Sequence, residues 1–177
     1  MPRSRHRQRD RHEQTRLAGT ILWLPPKDPD AIPTSLPAEC HDHPVVILSP
    51  RSVENNVVVL LLTSLGGKDL EEKYPTNPAR RRQYLPIHPA SLHPDLNVLL
   101  CVDGGLVLRK KSYVSLTTQF TIPISVLRPY QSSRRPLRYA LKASSYQALV
   151  KFVKFTAPLE SPSLHMDPAP VPAEPRP

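Results

Sequence analysis

Long apolar runs are missing from this 177-residue chain. No stretch approaches the roughly 18 apolar residues of a membrane-spanning helix, so no membrane association is expected. The start of the chain has arginines but no apolar h-region, so no secretory signal is expected. Asp10, Glu13 and the want of an apolar face argue against a mitochondrial presequence as well. A cytoplasmic or nuclear protein is the expectation. Cysteine is scarce: Cys40 and Cys101 are the only two. Two thiols are too few for a disulfide scaffold, and their neighbours form no metal-ligand spacing. Reduced thiols are expected, with no metal and no cofactor. Glycines number 5 and prolines 23, the latter far above the average of about 5%. Helices long enough for a bundle are therefore not expected between Pro25 and Pro136.

What is present is positive charge, a formal +9. Arg3, Arg5, Arg7, Arg9, Arg11 and Arg16 crowd the first stretch. Arg80-Arg81-Arg82, Arg109-Lys110-Lys111 and Arg134-Arg135 follow. Such a surface attracts polyanions, nucleic acid first. Taken singly, each cluster also reads as a solvated loop that aids solubility. Hydrophobic residues make up 39%, and the deficit lies at the two ends. Residues 1–16 are expected to be a disordered basic arm, suited to nuclear import or RNA contact. Residues 158–177, rich in Pro, Ala and Ser, are expected to be a disordered tail. The middle can bury a modest core.

The most strand-like segments are Val45-Val46-Ile47-Leu48-Ser49 and Val57-Val58-Val59-Leu60-Leu61-Leu62-Thr63. Asn55-Asn56 between them is turn chemistry, so they read as a hairpin. Both are continuously apolar, which predicts cover on both faces by core, helix, loop or a partner chain. Gly19-Thr20-Ile21-Leu22-Trp23-Leu24 is an earlier strand, stopped by Pro25-Pro26. Trp23, the single tryptophan, is a core or rim anchor or else a base-stacking platform. Residues 68–74 suggest a short helical turn, and 76–84 an exposed loop. Leu85-Pro86-Ile87-His88 reads as an edge strand, where proline is tolerated. Residues 96–102 read as a strand ahead of the turn Asp103-Gly104-Gly105. Ser112-Tyr113-Val114-Ser115-Leu116 alternates as a half-buried strand does. Many short strands with turns between them predict a mainly β chain, a small β-barrel. It would span residues 17–130, with long loops at 25–41 and 66–95. A linker and C-terminal helix would fill 131–157. Tyr146, Leu149, Val150 and Val153 mark one helix face over 145–155, and Ser144 with Gln147 forms a capping-box pattern.

The order of these pieces resembles the MazF/PemK family of toxin endoribonucleases. Four segments carry the resemblance, over roughly residues 19–130. Gly19 to Leu24 looks like the family's opening strand. His43-Pro44-Val45-Val46-Ile47-Leu48-Ser49 looks like its "R-P-[VA]-[VL]-[VI]-[LI]-S" strand. Val59 to Ser64 looks like the strand ending in "[IVL]-[TS]-[TSA]". Ser112 to Pro123 looks like the "S-x-[VI]-x-[LC]-x-Q" segment, with one extra residue before Gln119. The resemblance implies an SH3-like β-barrel with a C-terminal helix, and metal-independent cleavage of single-stranded RNA by 2′-hydroxyl attack on the adjacent phosphate. A base takes the 2′-proton, an acid protonates the leaving 5′-oxygen, and donors stabilise the phosphorane.

By motif position, Thr63 and Ser64 are the expected phosphate contacts. The family's arginine becomes His43. A histidine, with an ordinary pKa near 6.5, suits acid–base work better than arginine, but gives up a bidentate phosphate clamp. The plainer alternative is a rim histidine bonded to a loop carbonyl. Asp42 is a poor orienter of His43, because adjacent strand residues point to opposite faces, whereas His41 would share its face. His88 or His93 near His43 would complete an acid–base pair, though no spacing requires it. Expected RNA contacts are Arg51, Arg80, Arg81, Arg82 and Gln119. The expected partner is single-stranded RNA. A homodimer, and an inhibitory segment in cis or an antitoxin-like partner over the groove, are further expectations. The competing reading is a non-catalytic barrel, a protein-interaction or homodimerising module attached to nucleic acid through its arm.

Overall fold

The computed structural model describes residues 17–27, 36–50, 52–131 and 137–155. The expected arm and tail, and Arg51, lie outside them. The hairpin of β2 (His43–Ile47) and β3 (Asn56–Thr63) is antiparallel, with Val45 opposite Leu61 and Ile47 opposite Val59. It is entered through a two-residue turn. Glu54 and Asn55 both adopt left-handed dihedrals, φ 49° and 63°. Val53 and Asn56 exchange backbone hydrogen bonds of 2.9 and 2.8 Å across them. Two such residues in a row match the type I′ geometry that suits strand twist.

The continuous apolar runs have a simple cause. Val46, Leu48, Leu60 and Leu62 belong to one core, and Val45, Ile47, Val57 and Val59 to another, on the opposite face. Strand alternation sends successive residues to opposite sides, so a sheet buried on both faces needs apolar residues at every position. The chain supplies both covers itself. One core is closed by Leu108, Tyr139, Leu141 and Leu149, the other by Leu36, Cys40 and Leu127.

Five further strands extend the sheet: β1 (Ile21–Leu24), β4 (Tyr84–Ile87), β5 (Ser112–Ser115), β6 (Phe120–Pro123) and β7 (Arg128–Pro129). The order is β4-β5-β3-β2-β1-β7, antiparallel throughout. β3 divides one edge between two partners. Its first half pairs with β6 and its last two residues with β5. Of the expected small β-barrel, the mainly β character is present. Among the described residues no ladder joins β4 to β7, and the seven-stranded sheet is open.

Four local expectations also change. Residues 96–102 are not a strand; they touch the sheet through single bridges, Leu100 to Ile87 and Val102 to Leu141. The stretch read as an exposed loop holds α2 (Pro78–Arg81), one turn after α1 (Leu70–Lys73). Asn77 caps α2 by accepting from the Arg80 N–H at 2.9 Å, and Pro78 begins it. β5 is buried at Ser112, Tyr113 and Val114 rather than half-buried, because it is central. The C-terminal helix α3 runs Ala143–Val153 and starts too early for the Ser144 capping box. Ser145 instead turns inward, and its hydroxyl accepts the Cys101 N–H at 2.9 Å. Three of the four expected stripe residues pack into the core, and Val150 is half-buried beside them without joining it. Leu149 is fully buried, with Tyr146 and Val153 packed beside it. The Tyr146 hydroxyl donates to the Leu48 carbonyl at 2.6 Å, tying α3 to the strand run.

Candidate functional site

Three strand ends meet at one rim. β2 begins there with His43, β3 ends there with Thr63, and β5 begins there with Ser112. Carried two residues further, the β2–β3 register sets His43 opposite Thr63. On its other side Thr63 faces Tyr113 of β5. The strands' loops open a cavity of about 360 Å³ at this rim. His43, Thr63 and Ser64 line it together, with Asp42, Arg109, Lys110 and Ser112. Trp23, Pro44, Leu62 and Tyr130 supply its apolar wall. A concave site with an apolar wall and a few convergent polar groups is the usual form of a ligand site.

The polar groups around the rim are held in different ways. The Thr63 hydroxyl oxygen accepts the Leu65 N–H at 3.2 Å, closing a tight turn in which Leu65 and Gly66 are left-handed. Its own proton remains able to donate. Beneath, the β3–β5 joint is locked by Asp69. Its carboxylate accepts from the Lys111 ammonium at 2.7 Å and from the Tyr113 hydroxyl at 2.9 Å. The Lys111 hydrogen bond, then that of Tyr113, holds the Asp69 carboxyl below the usual range. Burial, reinforced by Asp69, pushes the Tyr113 phenol up. Tyr113 therefore stays protonated as a donor.

Asp42 departs from the expected geometry. It lies just before β2 and is left-handed, φ 62°, so strand alternation does not reach it. It lines the cavity beside His43, while the His41 ring nitrogen meets the Pro25 carbonyl at 3.2 Å. Neither His88 nor His93 reaches the cavity. His93 is buried, and its Nδ1 accepts the N–H groups of Asp95 and Leu96 at 3.1 and 3.2 Å. Its Nε2 donates to the Arg81 carbonyl at 3.1 Å. That is a neutral, structural imidazole.

The expected RNA contacts scatter. Arg81 is 8% exposed and grips Asp95 through two hydrogen bonds, 2.6 and 2.8 Å, and donates to the Tyr74 and Pro75 carbonyls. It is a packing element of its loop. Arg80 lies 6.0 Å from the Tyr74 ring centroid, and Arg82 is exposed. The Gln119 amide meets the Val153 carbonyl at 3.4 Å, at the far end of α3. None of these lines the cavity. The cations at the site are Arg109 and Lys110. No motif flags them. The usable sign is charge: they open the basic run Arg109-Lys110-Lys111, which precedes the strand whose start faces the end of β3.

Among the described residues no three His, Cys, Asp or Glu side chains converge as a metal site requires. No described helix is long and apolar enough to cross a membrane. Compared with protein-family models and with curated proteins, the chain matches none.

Proposed function

We propose that this chain is an RNA-binding protein of the MazF/PemK type, a divergent SH3-like fold that cuts single-stranded RNA at the β2–β3–β5 rim. One observation carries the reading: His43, Thr63 and Ser64, picked out by motif position, line a single cavity together with two cations. In the proposed reaction the ribose 2′-oxygen bonds to the neighbouring phosphorus and the P–O5′ bond breaks. His43 carries one of the two proton transfers, taking the 2′-proton or delivering one to the 5′-oxygen, and solvent water carries the other. Thr63 and Ser64 donate to the phosphate oxygens as charge grows on them. The products are a 2′,3′-cyclic phosphate and a 5′-hydroxyl end.

The test is cleavage of single-stranded RNA in EDTA by the wild type, His43→Ala and Thr63→Ala. The expected result is cyclic-phosphate product from the wild type and a loss of at least about 100-fold in rate for His43→Ala. Intact RNA at every pH, with binding retained, would replace the nuclease by a binding module. That second reading has support of its own, because the turn bond from Leu65 explains Thr63 without chemistry. A homodimer built on the apolar strands has less support, since both sheet faces are already covered from within the chain.

A further inference from the structure

The substitution of histidine for the family's arginine leaves the proposed site without a guanidinium from β2. A phosphodiester carries a full negative charge, and a planar fork of N–H donors is the side chain best matched to it. We infer that Arg109, reaching the rim from the segment before β5, is the phosphate clamp of this site, and that Tyr130 positions it. This rests on the proposed RNA-binding function.

Four observations support the assignment. Arg109 lines the same cavity as His43 and Thr63, although it is 66 residues from the first and 46 from the second. Its side chain is exposed, and the ion pairs among the described residues leave it out. Within its own basic run the third member, Lys111, is already paired with Asp69. Finally, the segment is anchored. The Tyr130 hydroxyl faces the Arg109 backbone, and both residues line the cavity. The Tyr130 ring packs edge-on against Tyr139, centroids 5.0 Å apart, and Tyr139 is buried in the main core. The cavity wall and the placement of the cation thus share one residue. Lys110 adds a second charge, and Asp42, which lines the same cavity, sets a negative limit to where the phosphate can sit.

This divides labour that a single arginine would otherwise combine. His43 handles protons and Arg109 handles charge, from different strand ends. Binding of a fluorescent single-stranded oligonucleotide with 2′-O-methyl riboses, which cannot be cut, tests it in the full chain. Wild type, Arg109→Ala, Arg109→Lys, Tyr130→Phe and Lys142→Ala are compared at several salt concentrations. Lys142 is an exposed cation outside the cavity and controls for general charge. Arg109→Ala is expected to weaken binding about tenfold or more. Its slope of log affinity against log salt should fall by about 0.7, the value for one phosphate contact on a single strand. Arg109→Lys should recover the slope but not the full affinity, because a point charge replaces a fork. Tyr130→Phe should weaken binding with the slope unchanged, as expected of a residue that only aims the charge. Arg109→Ala indistinguishable from Lys142→Ala would overturn the clamp and leave RNA binding standing. A wild type that binds no oligonucleotide at low salt would overturn both.

Discussion

His93 is 1% exposed and wholly engaged in hydrogen bonds that require the neutral ring. Burial pulls its pKa below the ordinary 6.5. Arg81 and Arg82 push the same way, while the Arg81 carbonyl and Asp95 oppose it. The unfolded chain therefore binds a proton at a pH where the folded chain does not. Stability from this group is complete above about 6.5 and declines as pH falls from there through the folded value. Thermal unfolding midpoints at pH 7.5 and 5.5 should differ for the wild type. In His93→Gln, which has nothing to titrate, that difference should shrink. An equal drop in both proteins would assign the acid sensitivity elsewhere, though not to Asp95 or Asp69, whose carboxyls are held low by Arg81 and Lys111. Those act at lower pH, since a depressed carboxyl loses its contribution only as pH falls through its own folded value.

Among the elements, α3 has the clearest energetic role. Leu149 is fully buried at the centre of its apolar stripe, and Phe152 on the same helix is 39% exposed. Leu149→Ala should cost about 2–5 kcal/mol. Phe152→Ala should stay within about 0.5 kcal/mol, as surface changes do. Chemical denaturation of the two variants checks this, and similar losses would mean that α3 is not docked by that stripe. The same helix shows what was readable in advance. Its spacing of Tyr146, Leu149 and Val153 gave the buried face, because periodicity reports a local geometry. Its start was misplaced, since the need of the Cys101 N–H for an acceptor at Ser145 is a tertiary fact that no local pattern contains. The hairpin was legible for the reason α3 was, with the Asn55 turn and unbroken valines and leucines. The stretch 96–102 misled because burial alone makes residues apolar, whether or not they join a ladder. At the cavity, strand-end motifs brought out His43, Thr63 and Ser64. Arg109 and Tyr130 arrive from distant segments, and their convergence depends on the β3–β5 and β1–β7 pairings.

At the scale of the whole molecule, charge is the dominant property. The formal +9 is shared between the first 16 residues, with their six arginines, and the folded part. On the proposed RNA-binding reading, two modes of attachment should therefore separate. Deleting residues 1–16 should lower affinity for single-stranded RNA and flatten its salt dependence, because fewer counterions are released. The ratio between wild type and Arg109→Ala should survive the deletion. Electrophoretic shift at two salt concentrations measures both. If the truncated protein binds nothing at either, attachment is the work of the arm and the cavity has no share in it.

The polar groups of the cavity come from strand ends and the residues just beyond them, whereas the valines and leucines that hold the sheet lie in the strand interiors, with Leu62 alone serving both. Shape and chemistry are therefore written in separate alphabets. Positions 43, 64, 109 and 110 form a compact cassette that can be randomised together, with left-handed Asp42 and turn-closing Thr63 kept, and most of the resulting variants should still fold. The molecule is in that sense a ready scaffold for selecting new anion or nucleotide specificities, with the two-sided core left untouched.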